Sequence, residues 1–154
     1  MEEQVVQLLL EQKKHVVFVE SCTGGMLASA LIGVSGASGV LEQSFITYSN
    51  DAKHKLVDVK MSTLEKYGAV SGETAMEMAL GGVKKAGADV GVSVTGVAGP
   101  GTEEEKPVGL VYIGICHEGQ CRAEEYHFCG TRQEIRKQAV ERALKLIMNE
   151  LSEK

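Results

Sequence analysis

Apolar positions change their spacing repeatedly along the chain, and each change predicts an element. In residues 2–13, Val5, Val6, Leu8, Leu9 and Leu10 give an amphipathic helix. Glu2 and Glu3 suit its positive N-terminal end. Val16, Val17, Phe18 and Val19 are an unbroken apolar run, followed by Glu20-Ser21-Cys22-Thr23-Gly24-Gly25 and then a helical period through Met26, Leu27, Ala30 and Leu31. That order predicts a buried strand, a tight turn and a helix ending near Gly33, with Thr23 as its N-cap. Residues 34–39 are small and polar and read as a loop. Residues 40–48 read as a strand carried by Phe45, Ile46 and Tyr48. Asn50 or Asp51 is placed to cap a short helix through Leu56.

Further on, Ser62 and Glu65 are spaced as a capping box for a short helix over 62–67, ended by Gly68. Residues 71–86 predict a long helix with Ser71 and Thr74 as cap and first-turn residues, and with Met76 and Met78 as packing side chains. Residues 89–95 read as a buried strand running into a glycine-rich loop, Gly96-Val97-Ala98-Gly99-Pro100-Gly101. Glu103-Glu104-Glu105 reads as a solvated loop tip. Residues 108–116 and 121–128 predict a hairpin turning at Glu118-Gly119, and the final helix carries an apolar stripe from Ile135 to Leu151. The whole order implies one α/β domain. It is a three-layer α/β/α sandwich on a mixed, mostly parallel sheet, with a C-terminal antiparallel hairpin and a closing helix.

Composition narrows the function. The 154 residues are 44% hydrophobic and 24% charged, with a net charge of -5 and no basic run, which argues against nucleic acid and acidic membranes as partners. The N-terminus lacks a signal-peptide pattern, and no stretch approaches the roughly 20 apolar residues of a membrane span. A cytoplasmic protein is expected. Cys22, Cys116, Cys121 and Cys129 form no CxxC, so free thiols are the default in a reducing compartment, although Cys116 and Cys121 flank the hairpin turn. His15, His54, His117 and His127 show neither HxxxH nor HExxH spacing, so no metal is expected.

The candidate chemistry lies at three strand ends: Ser21 to Gly25, Thr47 to Asn50, and Thr95 to Gly101. If those strands are parallel neighbours, the three loops converge on one edge of the sheet. The first loop is not GxxxxGK[ST], GxGxxG or GxSxG. Its glycines permit close approach, and the helix start after it suits an anion or an oxyanion. Ser21 lies where a strand end would present it. Lys53 falls in the first turn of a helix, where its charge is unfavourable, so it is either solvated or has a task. A serine near a desolvated lysine is a nucleophile–base pair. Cys22 is the rival nucleophile. Arg132 could serve the site or pair with Glu134 or Glu141 on its own helix. Tyr48 could hold a ring or pack in the core, and Thr95 could be an ordinary strand residue.

Several motifs together carry a family resemblance: ESCTGG at 20–25, TYSNDAK at 47–53, GAVS at 68–71, VTGVAGPG at 94–101 and KPVG at 106–109. In this order and spacing the chain resembles the CinA C-terminal-domain family over nearly its whole length. The resemblance implies a nicotinamide-nucleotide amidohydrolase, or NMN deamidase. Such an enzyme hydrolyses nicotinamide mononucleotide to nicotinate mononucleotide and ammonia in pyridine-nucleotide salvage. It implies Ser21 as nucleophile, Lys53 as base and Tyr48 in the catalytic set. It implies Thr95 and Arg132 at the same site, while Thr23 and Gly24 at the helix start and Gly25 and Gly96 of the glycine loops are substrate-binding candidates from their backbone N–H groups. It implies no cofactor and a homo-oligomer, and the stand-alone form of a domain that longer members join to a molybdopterin-binding-like one. One departure is Thr102, at the loop tip, where many members carry a further glycine. The other reading of the same residues is a nucleotide- or phosphate-binding module without turnover.

Overall fold

The computed structural model describes residues 1–152. Its sheet has five strands: β1 (Val16–Glu20), β2 (Phe45–Ile46), β3 (Val90–Gly96), β4 (Leu110–His117) and β5 (Gln120–His127). Their order is β2-β1-β3-β4-β5. β1 is parallel to both neighbours, while β4 and β5 continue the sheet antiparallel. The helices are α1 (Glu2–Gln12), α2 (Met26–Ile32), α3 (Asn50–Val57), α4 (Met61–Tyr67), α5 (Gly72–Ala86) and α6 (Arg132–Ser152).

β1 is buried at every position, which explains its continuous apolar run. Val16 and Phe18 face the larger core with α1, α2 and α6, whereas Val19 packs with Val57, Leu64 and Met78 of α3, α4 and α5. The sheet is therefore covered on both sides, giving the three-layer α/β/α sandwich. On the second side α5 lies almost on the strands. A Cβ at Gly91 would come 2.6 Å from the Ala79 carbonyl oxygen, and one at Gly114 would come 2.4 Å from that of Ala75. Only glycine allows that approach.

The chain leaves β1 through α2 to β2 on one side, then returns through α3, α4 and α5 to β3 on the other. This reversal is a topological switch point, and a crevice forms outside the carboxyl ends of the strands there. The ends of β1, β2 and β3 do converge, as parallel neighbours must.

Local corrections have physical causes. The strand expected over 40–48 shrinks to Phe45–Ile46. Val40 is buried in the α1/α2/α6 core, so apolar character before β2 serves packing rather than pairing. α3 is capped by Ser49, whose Oγ accepts from Ala52 N at 3.0 Å, and not by Asn50 or Asp51. α4 begins at Met61 without the Ser62–Glu65 box. Glu77 of α5 instead accepts from Lys60 N at 2.9 Å and Thr63 Oγ1 at 2.6 Å. Ser71 caps α5 as expected, accepting from Thr74 N. Cys116 and Cys121 are not free thiols: the hairpin register sets them opposite each other and a disulfide joins them. Cys22 and Cys129 are free. Among the described residues no helix is long and apolar enough to cross a membrane.

Candidate active site

Ser21 directly follows β1, and its N–H still bonds the Val94 carbonyl of β3 at 2.9 Å. The backbone is thus held by the sheet up to the residue that presents the hydroxyl. Lys53 sits one turn into α3, after a turn that leaves β2. Its Nζ donates to Ser21 Oγ at 3.1 Å and to the Thr47 carbonyl at 2.9 Å. Lys53 is 1% exposed, which removes the solvated reading of its place in α3. Burial pushes its pKa below the ordinary lysine range, against Cys22, Glu104 and Glu103, which pull it up. A lysine with a depressed pKa, hydrogen-bonded to a buried serine, has the geometry that a base and its nucleophile would need.

The cleft beside this pair is small, about 60 Å³, and is lined by Ser21, Tyr48, Gly96, Ala98, Glu103 and Arg132, with Cys22 contributing to its wall. Tyr48 is 64% exposed, so it is no core residue. Arg132, the first residue of α6, donates to the Gly99 carbonyl at 2.6 Å and to the Tyr48 hydroxyl at 3.2 Å. It reaches over the cleft instead of pairing with Glu134 or Glu141.

Other expected binding residues are placed differently. Thr95 is 1% exposed and its hydroxyl donates to the Ala69 carbonyl at 2.8 Å, which makes it a strand residue holding the 69–71 segment. Thr23 is fully buried, with a hydroxyl that finds no partner, and it does not cap α2. Gly24 and Gly25 line a separate surface groove with Met26, Ser29 and Lys137. The start of α2 is not an open anion site either. The carboxylate of Glu20, itself 0% exposed, accepts from Gly25 N at 3.2 Å, Leu27 N at 2.9 Å and Ala28 N at 3.0 Å. The anion that the helix terminus favours is already supplied by the chain.

Three anchors escaped the sequence reading. Glu20 is one, and a carboxylate ending an all-apolar strand was its signal, since buried Glu is rare unless paired. Arg136 is another: its Nε donates to the Cys22 carbonyl at 2.9 Å and its Nη2 to the Thr23 carbonyl at 3.2 Å. It lies four residues after Arg132, so both arginines project from one face of α6 toward the site. The third is Glu104, read as part of a solvated tip. It accepts from Ala69 N at 2.8 Å and Val70 N at 3.1 Å. Among the described residues no three His, Cys, Asp or Glu side chains cluster as metal ligands.

The surroundings of Cys22 disfavour it as a nucleophile. It packs within the α1/α2/α6 core, and burial pushes its thiol up to about 12, so almost no thiolate exists near neutrality. We expect Cys22→Ala to keep the wild-type turnover, whatever amide is cleaved. Iodoacetamide should label the exposed Cys129 and leave Cys22 unlabelled in the folded protein. Loss of turnover in Cys22→Ala, without a fall in Tm, would reverse this assignment.

The fold and cleft define a class: an α/β/α domain with a serine–lysine pair at the carboxyl ends of parallel strands. The chain belongs to the CinA C-terminal domain family, whose match covers residues 1–151. It is 48% identical over 155 residues to a protein of Clostridium novyi named as competence-damage inducible, covering 100% of this chain and 37% of that protein. It is 49% identical over 146 residues to the CinA-like protein of Endomicrobium trichonymphae, covering 94% of this chain and 34% of that protein. The chain therefore spans little more than a third of the curated relatives it matches. Among solved structures it superposes on the competence damage-inducible protein A of Klebsiella pneumoniae with a TM-score of 0.96 at 31% identity, over 99% of this chain and 95% of that one. On a competence/damage inducible protein of Agrobacterium tumefaciens the TM-score is 0.89 at 37% identity, over 96% and 94% of the two chains.

Proposed function

We propose that this chain hydrolyses the carboxamide of nicotinamide mononucleotide, releasing ammonia and nicotinate mononucleotide, with Ser21 as nucleophile and Lys53 as base. The observation that carries the reading is the 3.1 Å contact between Lys53 Nζ and Ser21 Oγ in a buried setting that favours the neutral amine. A pure binding module has no need of such a pair.

The chemistry follows from the geometry. Neutral Lys53 takes the proton of Ser21 as Oγ attacks the carboxamide carbon, and the carbonyl π-electrons move to oxygen. The resulting ammonium then gives a proton to the departing nitrogen, the C–N bond breaks, and ammonia leaves an ester on Ser21. Water attacks that ester while Lys53 accepts its proton, and the proton returns to Ser21 Oγ as the acid departs. Thr47's carbonyl keeps Lys53 Nζ aimed throughout. Gly24 N already bonds the Ser21 carbonyl, and Gly25 N bonds Glu20, so neither serves the oxyanion, and the backbone lining the cleft at Cys22 and at Ala98 of the second glycine-rich loop is left to do so. The cleft is far below the roughly 300 Å³ of ordinary ligand pockets, so it receives the carboxamide and ring edge. The ribose phosphate then extends outward past Tyr48 and Arg132, whose guanidinium suits the phosphate.

The test is ammonia release from nicotinamide mononucleotide, with formation of the acid followed by chromatography. Stoichiometric ammonia and acid would support the reading. Binding of the nucleotide without either product would leave the module without turnover.

A further inference from the structure

One charged side chain in the cleft has no part in the reaction above. Glu103 lines it beside Ser21, Tyr48 and Arg132, and its charge acts on Lys53. Its carboxylate has no hydrogen bond or ion pair among the described residues.

The backbone that holds it there is unusual. Lys106 N donates to the Glu103 carbonyl at 2.8 Å, closing a two-residue turn whose central residues, Glu104 and Glu105, have φ of 53° and 61°. Both central residues of this turn are left-handed, a form that glycine and asparagine favour, and each other residue placed there costs about 1 kcal/mol or more. The turn is nailed down from below. Glu104 binds the N–H groups of Ala69 and Val70, and Lys106 Nζ donates to the carbonyls of Tyr67, at 2.9 Å, and Val70. Gly68 leaves the room for this, because a Cβ there would lie 2.5 Å from Glu104 Oε1. Two of three consecutive acidic residues thus sit in strained backbone, and the first is delivered to the cleft. Strain kept at such a place is a pointer to function.

What the carboxylate meets follows from the charge of the ring, and here the inference rests on the amidohydrolase reading. A pyridine carboxamide joined through its ring nitrogen to ribose is a pyridinium cation. Arg132, at the same cleft, attracts the phosphate but repels that ring. A carboxylate opposite offsets the repulsion, and the exposed face of Tyr48 offers the cation–π surface that quaternary nitrogens prefer. We propose that Glu103, with Tyr48, reads the positive charge of the ring, so that the cleft selects N-substituted pyridinium carboxamides over neutral ones of the same shape.

The experiment compares nicotinamide mononucleotide with its 1,4-dihydro form, which keeps the amide, ribose and phosphate but has an uncharged ring. Affinities are measured by calorimetry on Ser21→Ala protein, where no turnover intervenes, with and without Glu103→Gln. The Ser21→Ala protein should prefer the cation, and Glu103→Gln should weaken cation binding about tenfold, or about 1.4 kcal/mol, while leaving the neutral form unchanged. Equal affinity for the two rings, or an equal loss on both in Glu103→Gln, overturns the proposal. Wild-type ammonia release separates the two readings. No release with the cation preference intact removes the amidohydrolase and leaves the charge reader. Release without the preference removes the charge reader alone.

Discussion

Ser21→Ala and Lys53→Met should each lower ammonia release by about a thousandfold or more, which is about 4 kcal/mol of transition-state stabilisation. Each removes one end of the 3.1 Å contact on which the proposed nucleophile depends. Alanine has no oxygen to attack with. Methionine fills nearly the volume of lysine but accepts no proton, and a general base alone is worth about a hundred- to ten-thousandfold. The double variant should be no slower than the single ones, because the two side chains act as a unit. Additive losses, or a Lys53→Met enzyme within tenfold of wild type, would show that the lysine is not the base.

The same lysine gives a second, signed expectation. Its folded-state pKa lies below the ordinary value of 10.5 because burial disfavours the ammonium. In the window between those two values the unfolded chain binds more protons than the folded one, so this group makes stability rise with pH and fall as pH drops through the folded pKa. Rates should follow the same titration, with an acidic limb set by the depressed lysine. Lys53→Met removes that term. The stability of wild type minus that of Lys53→Met should therefore increase as pH rises from the depressed folded pKa toward 10.5. The subtraction cancels the titrating groups remote from Lys53, while Cys22, Glu103 and Glu104, whose charges act on it, contribute through that coupling. A flat difference would mean that Lys53 is not depressed in the folded protein.

The long-period signals were legible because they are local. α1, α5, α6 and the β4–β5 hairpin follow from apolar spacing and turn residues, and the cap at Ser71 follows from one hydroxyl and its helix. The convergence of three loops was readable too, once parallel strands were assumed. What failed depends on partners far along the chain. Thr95 looks like a site hydroxyl until Ala69's carbonyl is seen to take it. Glu104 looks solvated until two distant N–H groups are found beneath it. The thiols of Cys116 and Cys121 were judged by compartment, whereas strand register decides which sulfurs meet. Lys53 is placed at the site by its family match rather than by its local pattern. Its position in α3 argues for solvent, and the bonds its Nζ makes to Ser21 Oγ and the Thr47 carbonyl, at two strand ends, explain its burial.

Glu20→Ala should be strongly destabilising. The Glu20 carboxylate, 0% exposed, is the acceptor for three N–H groups at the start of α2. Glu20→Ala leaves those donors without an acceptor where water has little access. Buried unsatisfied donors cost about 1–3 kcal/mol each, and loss of a helix cap about 0.5–2 kcal/mol. These costs overlap, because the first turn of α2 can fray to reach water, so about 3–5 kcal/mol in total is expected. At about 3 °C per kcal/mol for a chain of this length, Tm should fall by roughly 9–15 °C. Glu20→Gln keeps one oxygen but turns an amide N–H toward a backbone N–H, so it should fall between Glu20→Ala and wild type. Activity should drop in both variants ahead of unfolding, because Ser21 is the next residue and its turn closes on these bonds. A Tm loss below about 3 °C in Glu20→Ala would mean that solvent or another group can cap α2. The turn that presents Ser21 would then owe its shape to Arg136 and the sheet rather than to Glu20.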